Sequence, residues 1–162
     1  MKKRANYLLV LFFSVLFVNA TAQQKTFDKL AFYQVMEKAG SEELENEIKL
    51  IAGTTGINKD AYTGALLMKK ASLEKGASKK LNVFKQGHAK LEAVIKKEQQ
   101  NAEWRFLRLI IQENAPKILK YRSEIKADAA YIQSSYKGLS ADVQTAVMDY
   151  RKHSNTLQAL NF

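Results

Sequence analysis

One proline and seven glycines punctuate this 162-residue chain, and where they fall constrains its fold more than any other feature. Both residue types interrupt helices, proline by lacking an N–H and glycine by its backbone freedom. Gly40, Gly53, Gly56, Gly76 and Gly138 lie between segments whose apolar residues recur every three or four positions, where a helix C-terminus would use them. Pro116 follows Asn114 and Ala115, a setting suited to the first turn of a helix. No segment alternates apolar and polar residues between hairpin turns, so no strand is expected. The pattern predicts an all-α protein, a compact array of about six to eight antiparallel helices on short loops.

The spacing places helices over 27–39, from just after Ser41, over 60–75, over 79–98, from just after Asn101, over 116–136 and from just after Ser140, with a frayed end over 154–162. Thr26 and Ser78 are the expected caps of the first and fourth helices. Phe27, Leu30, Ala31 and Val35 share one side of the first helix, and Leu44, Ile48 and Ile51 group on the second. Ala61, Ala65, Leu66 and Met68 pack the third, and Val143, Ala146, Val147 and Tyr150 group on the last. Along the fourth, Leu81, Phe84, His88, Leu91 and Ile95 form a stripe, while Lys79, Lys80, Lys85, Lys90, Lys96 and Lys97 lie off it.

The first 22 residues have the organisation of a secretory signal peptide. Lys2, Lys3 and Arg4 precede the apolar run Tyr7 to Val18, and Ala20-Thr21-Ala22 supplies small residues for cleavage after Ala22. The run is shorter than the roughly 20 residues needed to cross a bilayer, so cleavage rather than anchoring is expected. The chain has no cysteine, so it lacks the residue a bacterial lipoprotein carries after its cleavage site. The expectation is a periplasmic or secreted protein that does not span the membrane, its residues 23–162 forming a single helical domain. Removing the signal leaves 23 basic residues against 16 acidic ones, a charge of +7 where the whole chain has +10.

Gly64 and Gly87 are the two glycines inside periodic segments, where each costs about 1 kcal/mol relative to alanine. They fall on consecutive helices, and bare backbone at both predicts that these helices approach closely. Around them, Gly64-Ala65, then Gly87, Leu91 and Val94, the turn Glu98 to Asn101 and the opening Ala102-Glu103-Trp104 resemble a degenerate tetratricopeptide-type hairpin. The repeat-like core spans about 58–113. The whole chain also resembles the short exported all-helical proteins of Bacteroidota, a resemblance that implies no activity. The repeat resemblance implies a binding or scaffolding role through a concave groove.

On the fifth helix, Trp104, Phe106, Leu107, Leu109, Ile110 and Ile111 surround most of the circumference and leave a polar window of Arg105, Arg108 and Gln112. Such a helix belongs in the middle of a domain. Arg105 and Arg108, joined by Tyr121 and Arg122, can hold a carboxylate or phosphate, or can close an internal salt bridge to a glutamate. Tyr62, Trp104, Arg105, Arg108, Tyr121 and Arg122 are the candidate partner-binding residues.

Without cysteine, zinc-finger, iron–sulfur and thiol chemistry are excluded. His88 and Glu92 stand four residues apart, but a metal site needs a third ligand, and His88 reads as a packed core histidine. His153 has no evident partner. Serine-nucleophile, phosphate-loop and paired-carboxylate motifs are missing, so neither enzyme activity nor a cofactor is expected. The lysines are interleaved with glutamate, against a nucleic-acid role. The chain reads as a non-enzymatic envelope protein that binds a protein partner. The alternative is an anionic surface or small acidic ligand held by Lys79, Lys80, Lys96, Lys97 and the arginines.

Overall fold

A computed structural model describes residues 27–162; Thr26 and the expected signal over 1–22 lie outside the described residues. Within them the protein is all-helical and no strand is present. The helices are α1 (Lys29–Lys38), α2 (Ser41–Gly53), α3 (Lys59–Leu73), α4 (Ala77–Lys97), α5 (Ala102–Asn114), α6 (Ile125–Ser135), α7 (Ala141–Arg151) and α8 (Asn155–Gln158), with 3-10 turns at Lys117–Leu119 and Tyr136–Gly138.

Local chemistry sets most of the boundaries. Asp28, Asn58, Asn101 and Ser154 each turn a side-chain oxygen onto a backbone N–H of the helix that follows, satisfying a donor that the first turn leaves open. Gly56 and Gly76 take positive φ, 77° and 84°, a conformation glycine adopts without a Cβ penalty. Gly76, rather than Ser78, precedes the fourth helix, because the turn closes one residue before Ala77 and leaves Ser78 within the first turn.

α3 and α4 form a tight antiparallel hairpin. A Cβ built on Gly64 would stand 2.8 Å from Leu91 N, and one on Gly87 would stand 2.5 Å from Gly64 O. The expected close approach at these two glycines is therefore present, and the contact is backbone on backbone. α5 lies against α3, α4, α6 and α7, and Phe106, Leu107 and Leu109 have no exposed surface. Each such side chain contributes about 1.5–3 kcal/mol of burial. The expected central position of this helix is found.

Four expectations are corrected. On α1 the buried residues are Phe32, Tyr33 and Met36, while Ala31 is exposed and Leu30 and Val35 are only half-buried; the ring of Tyr33 meets Phe106 at 5.4 Å and turns the helix onto α5. A single helix over 116–136 does not form. Pro116 opens only the 3-10 turn Lys117–Leu119, and Lys120 at φ 50° reverses the chain before α6. The stripe of α4 keeps Phe84, Leu91 and Ile95 buried, but Leu81 is 42% exposed. The end of the chain is not frayed: α8 forms there, and Leu157 is fully buried.

Candidate functional site

The polar window of α5 is closed from inside the protein. Arg108 donates from Nε to Asp128 Oδ2 at 2.7 Å, from Nη2 to Asp128 Oδ1 at 2.8 Å and from Nη1 to Glu92 Oε2 at 3.0 Å. Arg105 adds Nη1 to Asp128 Oδ1 at 3.2 Å, gives Nε and Nη2 to the carbonyl of Gln99 and lies 4.3 Å over the ring of Tyr131. Burial works against the Arg108 charge, yet hydrogen bonds and attraction from Asp128, then Glu92, outweigh it and raise the guanidinium above its ordinary value. Of the two readings open to these arginines, the structure takes the internal salt bridge, with an aspartate as its main partner.

Three of the four remaining candidates are engaged in the same manner. Tyr121 donates to Glu92 Oε1 at 2.5 Å, and Tyr62 to Glu103 Oε1 at 2.7 Å. Trp104 donates Nε1 to Glu98 Oε2 at 2.7 Å and lies edge-on to Tyr62. All three are buried. Arg122 is exposed and does not join the arginine pair. Thus Arg105, Arg108 and Tyr121 come together around Asp128 and Glu92, Tyr62 and Trp104 form a separate contact, and Arg122 stands outside both.

The two histidines also have defined surroundings. His88 is half-buried, with its ring 6.2 Å from Phe84 and 4.7 Å from Tyr121. His153 does find a partner, with Nε2 at 3.6 Å from Glu37 Oε1. Among the described residues no three His, Asp or Glu side chains gather to hold a metal.

Open concave surface occurs elsewhere, in a trough running over α1, α3, α4, α5 and the 3-10 turn after Pro116. Its larger part is a cavity of about 560 Å³ whose wall includes Met36, Met68, Phe84, Ile110, Ile111 and Leu119. Leu81 and Ile118 complete that wall while 42% and 87% exposed. A smaller cavity of about 290 Å³ adjoins it, lined by Gln34, Glu37, Asp149, Tyr150 and His153. Met36, Lys69, Ile110 and Asn114 line both, so the two are continuous.

Of the trough residues, only Lys80 was a sequence candidate, as part of the anionic-ligand alternative. Leu81 reads from its period as core, and Ile118 reads as part of a helix that does not form. The one available signal was the apolar pair Ile118-Leu119, one residue removed from the only proline and too short to bury itself as a helix face. No family model, curated protein or solved structure matches this chain.

Proposed function

We propose that the protein is an exported, non-enzymatic binding module of the cell envelope whose partner inserts an apolar group into the trough beside α3, α4 and α5. The observation that carries this reading is the exposure of Ile118 and Leu81, 87% and 42%, on the wall of a cavity to which buried Met36, Met68, Phe84, Ile110 and Ile111 also contribute. Contiguous apolar surface left in water is a recurrent property of binding sites. Of the sequence candidates, Tyr62, Trp104, Arg105, Arg108 and Tyr121 are held by Asp128, Glu92, Glu98 and Glu103, so they support the fold, and the trough is the better candidate for contact. Export is supported by the basic start, apolar run and Ala20-Thr21-Ala22.

Titration with a neutral apolar dye such as Nile red tests the trough. A saturable rise in fluorescence is expected, and it should vanish in Leu81→Glu/Ile118→Glu with helix content unchanged. Dye binding that survives the double substitution removes the trough from consideration. N-terminal sequencing of protein recovered from the envelope fraction is expected to begin at Gln23.

A second reading, attachment to an anionic surface, is favoured by one observation on α4. Lys79 and Lys90 are tied to Glu74 and Asp60 at 2.7 and 2.6 Å, whereas exposed Lys85, Lys96 and Lys97 form no ion pair among the described residues. Binding to phosphatidylglycerol vesicles that falls steeply with salt would support it. Binding that is absent, or indifferent to salt, would remove it.

A further inference from the structure

The wall of the larger cavity has a one-sided charge. Lys69 and Lys80 line it, and no aspartate or glutamate does. Lys69 projects from α3 and donates Nζ to the carbonyl of Glu37 at 3.2 Å; Lys80 donates Nζ to the carbonyl of Ser72 at 3.0 Å. Neither lysine forms an ion pair among the described residues, although Lys70 and Lys79 nearby are both paired with Glu74. The carboxylate of Glu37 is turned to Lys38 and His153. Desolvation holds the Lys69 ammonium below the usual lysine range, only partly offset by Glu37, so the wall contains a positive group drawn partly out of water without a counter-charge of its own.

Position gives this charge a direction. Lys69 stands where the two cavities meet, and Met36 and Ile110 line both cavities with it. A volume of about 560 Å³ lies within the roughly 300–1,000 Å³ typical of sites that enclose a small molecule. An occupant that satisfies both features has an apolar body and one negative end.

We propose that the cavity binds a single-chain amphiphile with an anionic head, its chain along Met68, Phe84, Ile110, Ile111 and Leu119 and its head at Lys69 and Lys80. This rests on the reading of the trough as the binding surface and adds the chemical class of what enters it. The head exchanges water for charge-assisted hydrogen bonds from the ammonium groups, and the chain displaces water from the apolar wall.

Displacement of Nile red by dodecanoate, octanoate, dodecanol and dodecyltrimethylammonium, each below its micellar concentration, tests the proposal on the intact protein. Dodecanoate is expected to bind about tenfold or more tighter than dodecanol, the difference made by one charged hydrogen-bonded contact. Affinity should rise about fourfold per methylene from octanoate upward, and the cationic amphiphile should displace least. Lys69→Met/Lys80→Met should bring dodecanoate down to the affinity of dodecanol and leave dodecanol unchanged; the head-group comparison on the unaltered protein decides the matter if that variant does not fold. Equal affinity for acid and alcohol overturns the anionic head while the trough stands. Dye displaced by an apolar helical peptide and by none of the amphiphiles overturns the amphiphile and assigns the trough to a protein segment. A protein that binds neither dye nor amphiphile overturns both readings.

Discussion

Asp128 on α6 has no exposed surface and accepts two hydrogen bonds from Arg108 on α5, at 2.7 and 2.8 Å. Removing either member leaves the other as a buried charge with a weaker partner, a loss of about 3–5 kcal/mol in comparable pairs. Arg108→Met and Asp128→Leu are each expected to lower the unfolding free energy measured in urea by that order. The combination Arg108→Met/Asp128→Leu should recover most of the loss, since an apolar pair of similar volume is often no worse than a buried ion pair. Losses that simply add would show that the two side chains act independently.

Gly64 and Gly87 invert the usual rule that alanine improves a helix. Alanine gains about 1 kcal/mol in a helix interior, but at Gly87 its Cβ would meet Gly64 O at 2.5 Å and Met68 N at 2.8 Å. Those are backbone atoms that yield only if the helices part, at about 1–3 kcal/mol for overpacking. Gly64→Ala and Gly87→Ala are expected to lower the melting temperature, Gly87→Ala more. Gly53→Ala, with no atom within 4 Å of its Cβ, is expected to raise it slightly. A stabilised Gly87→Ala protein would contradict the backbone contact.

These glycines were legible in the sequence because a helix interior gives glycine no other use, and α5 was legible because its apolar residues occupy nearly every direction. α1 was not. Leu30, Phe32, Tyr33, Val35 and Met36 offer two overlapping stripes over a 10-residue helix, and only the contact of Tyr33 with Phe106 decides which is buried. Lys120 gave no warning either, since a positive φ normally announces itself as glycine or asparagine. The partner of the arginines was legible as a carboxylate but not as Asp128, because α5 and α6 meet through tertiary packing that spacing does not encode. The trough was hidden for the same reason: its wall is assembled from α1, α3, α4, α5 and a turn.

Tyrosine makes the fold sensitive to alkali. Burial foremost, together with Glu103 for Tyr33 and Tyr62, Glu92 for Tyr121 and Glu113 for Tyr150, raises these four phenols above their ordinary value. Unfolded phenols release protons near pH 10, so above that pH the unfolded state binds fewer protons than the native one and stability falls as pH rises. Below it this contribution is fully present. Phenolate absorbance from these residues is therefore expected to rise together with loss of helical circular dichroism. Absorbance that rises well before the helices melt would show the phenols are open to water.

The end of the chain belongs to the core. Leu157 has no exposed surface, the hydroxyl of Ser154 caps α8 while donating to Glu113 Oε1 at 2.9 Å, and Arg151 donates to the carbonyls of Leu157 and Leu160. Leu157→Ala is expected to lower stability by about 2–5 kcal/mol, the range for a buried leucine. Chemical denaturation checks it, and a loss below about 1 kcal/mol would show that this segment is only loosely docked.

Gln112, one turn beyond Arg108 on α5, has no exposed surface, and neither Nε2 nor Oε1 has a hydrogen-bond partner among the described residues. An amide buried without partners loses its hydrogen bonds to water and gains none inside, a penalty of about 1–3 kcal/mol per unsatisfied group. Methionine matches glutamine closely in length and volume and carries no such penalty. Gln112→Met is therefore expected to raise the unfolding free energy obtained from urea denaturation, by up to about 3 kcal/mol, where most core substitutions lower it. Gln112→Ala should lower it instead, because the space left by the side chain outweighs the relief of the amide. A destabilised Gln112→Met protein would mean that an internal water satisfies the amide, and Gln112 would then belong with Arg108 and Asp128 to one polar network through α5.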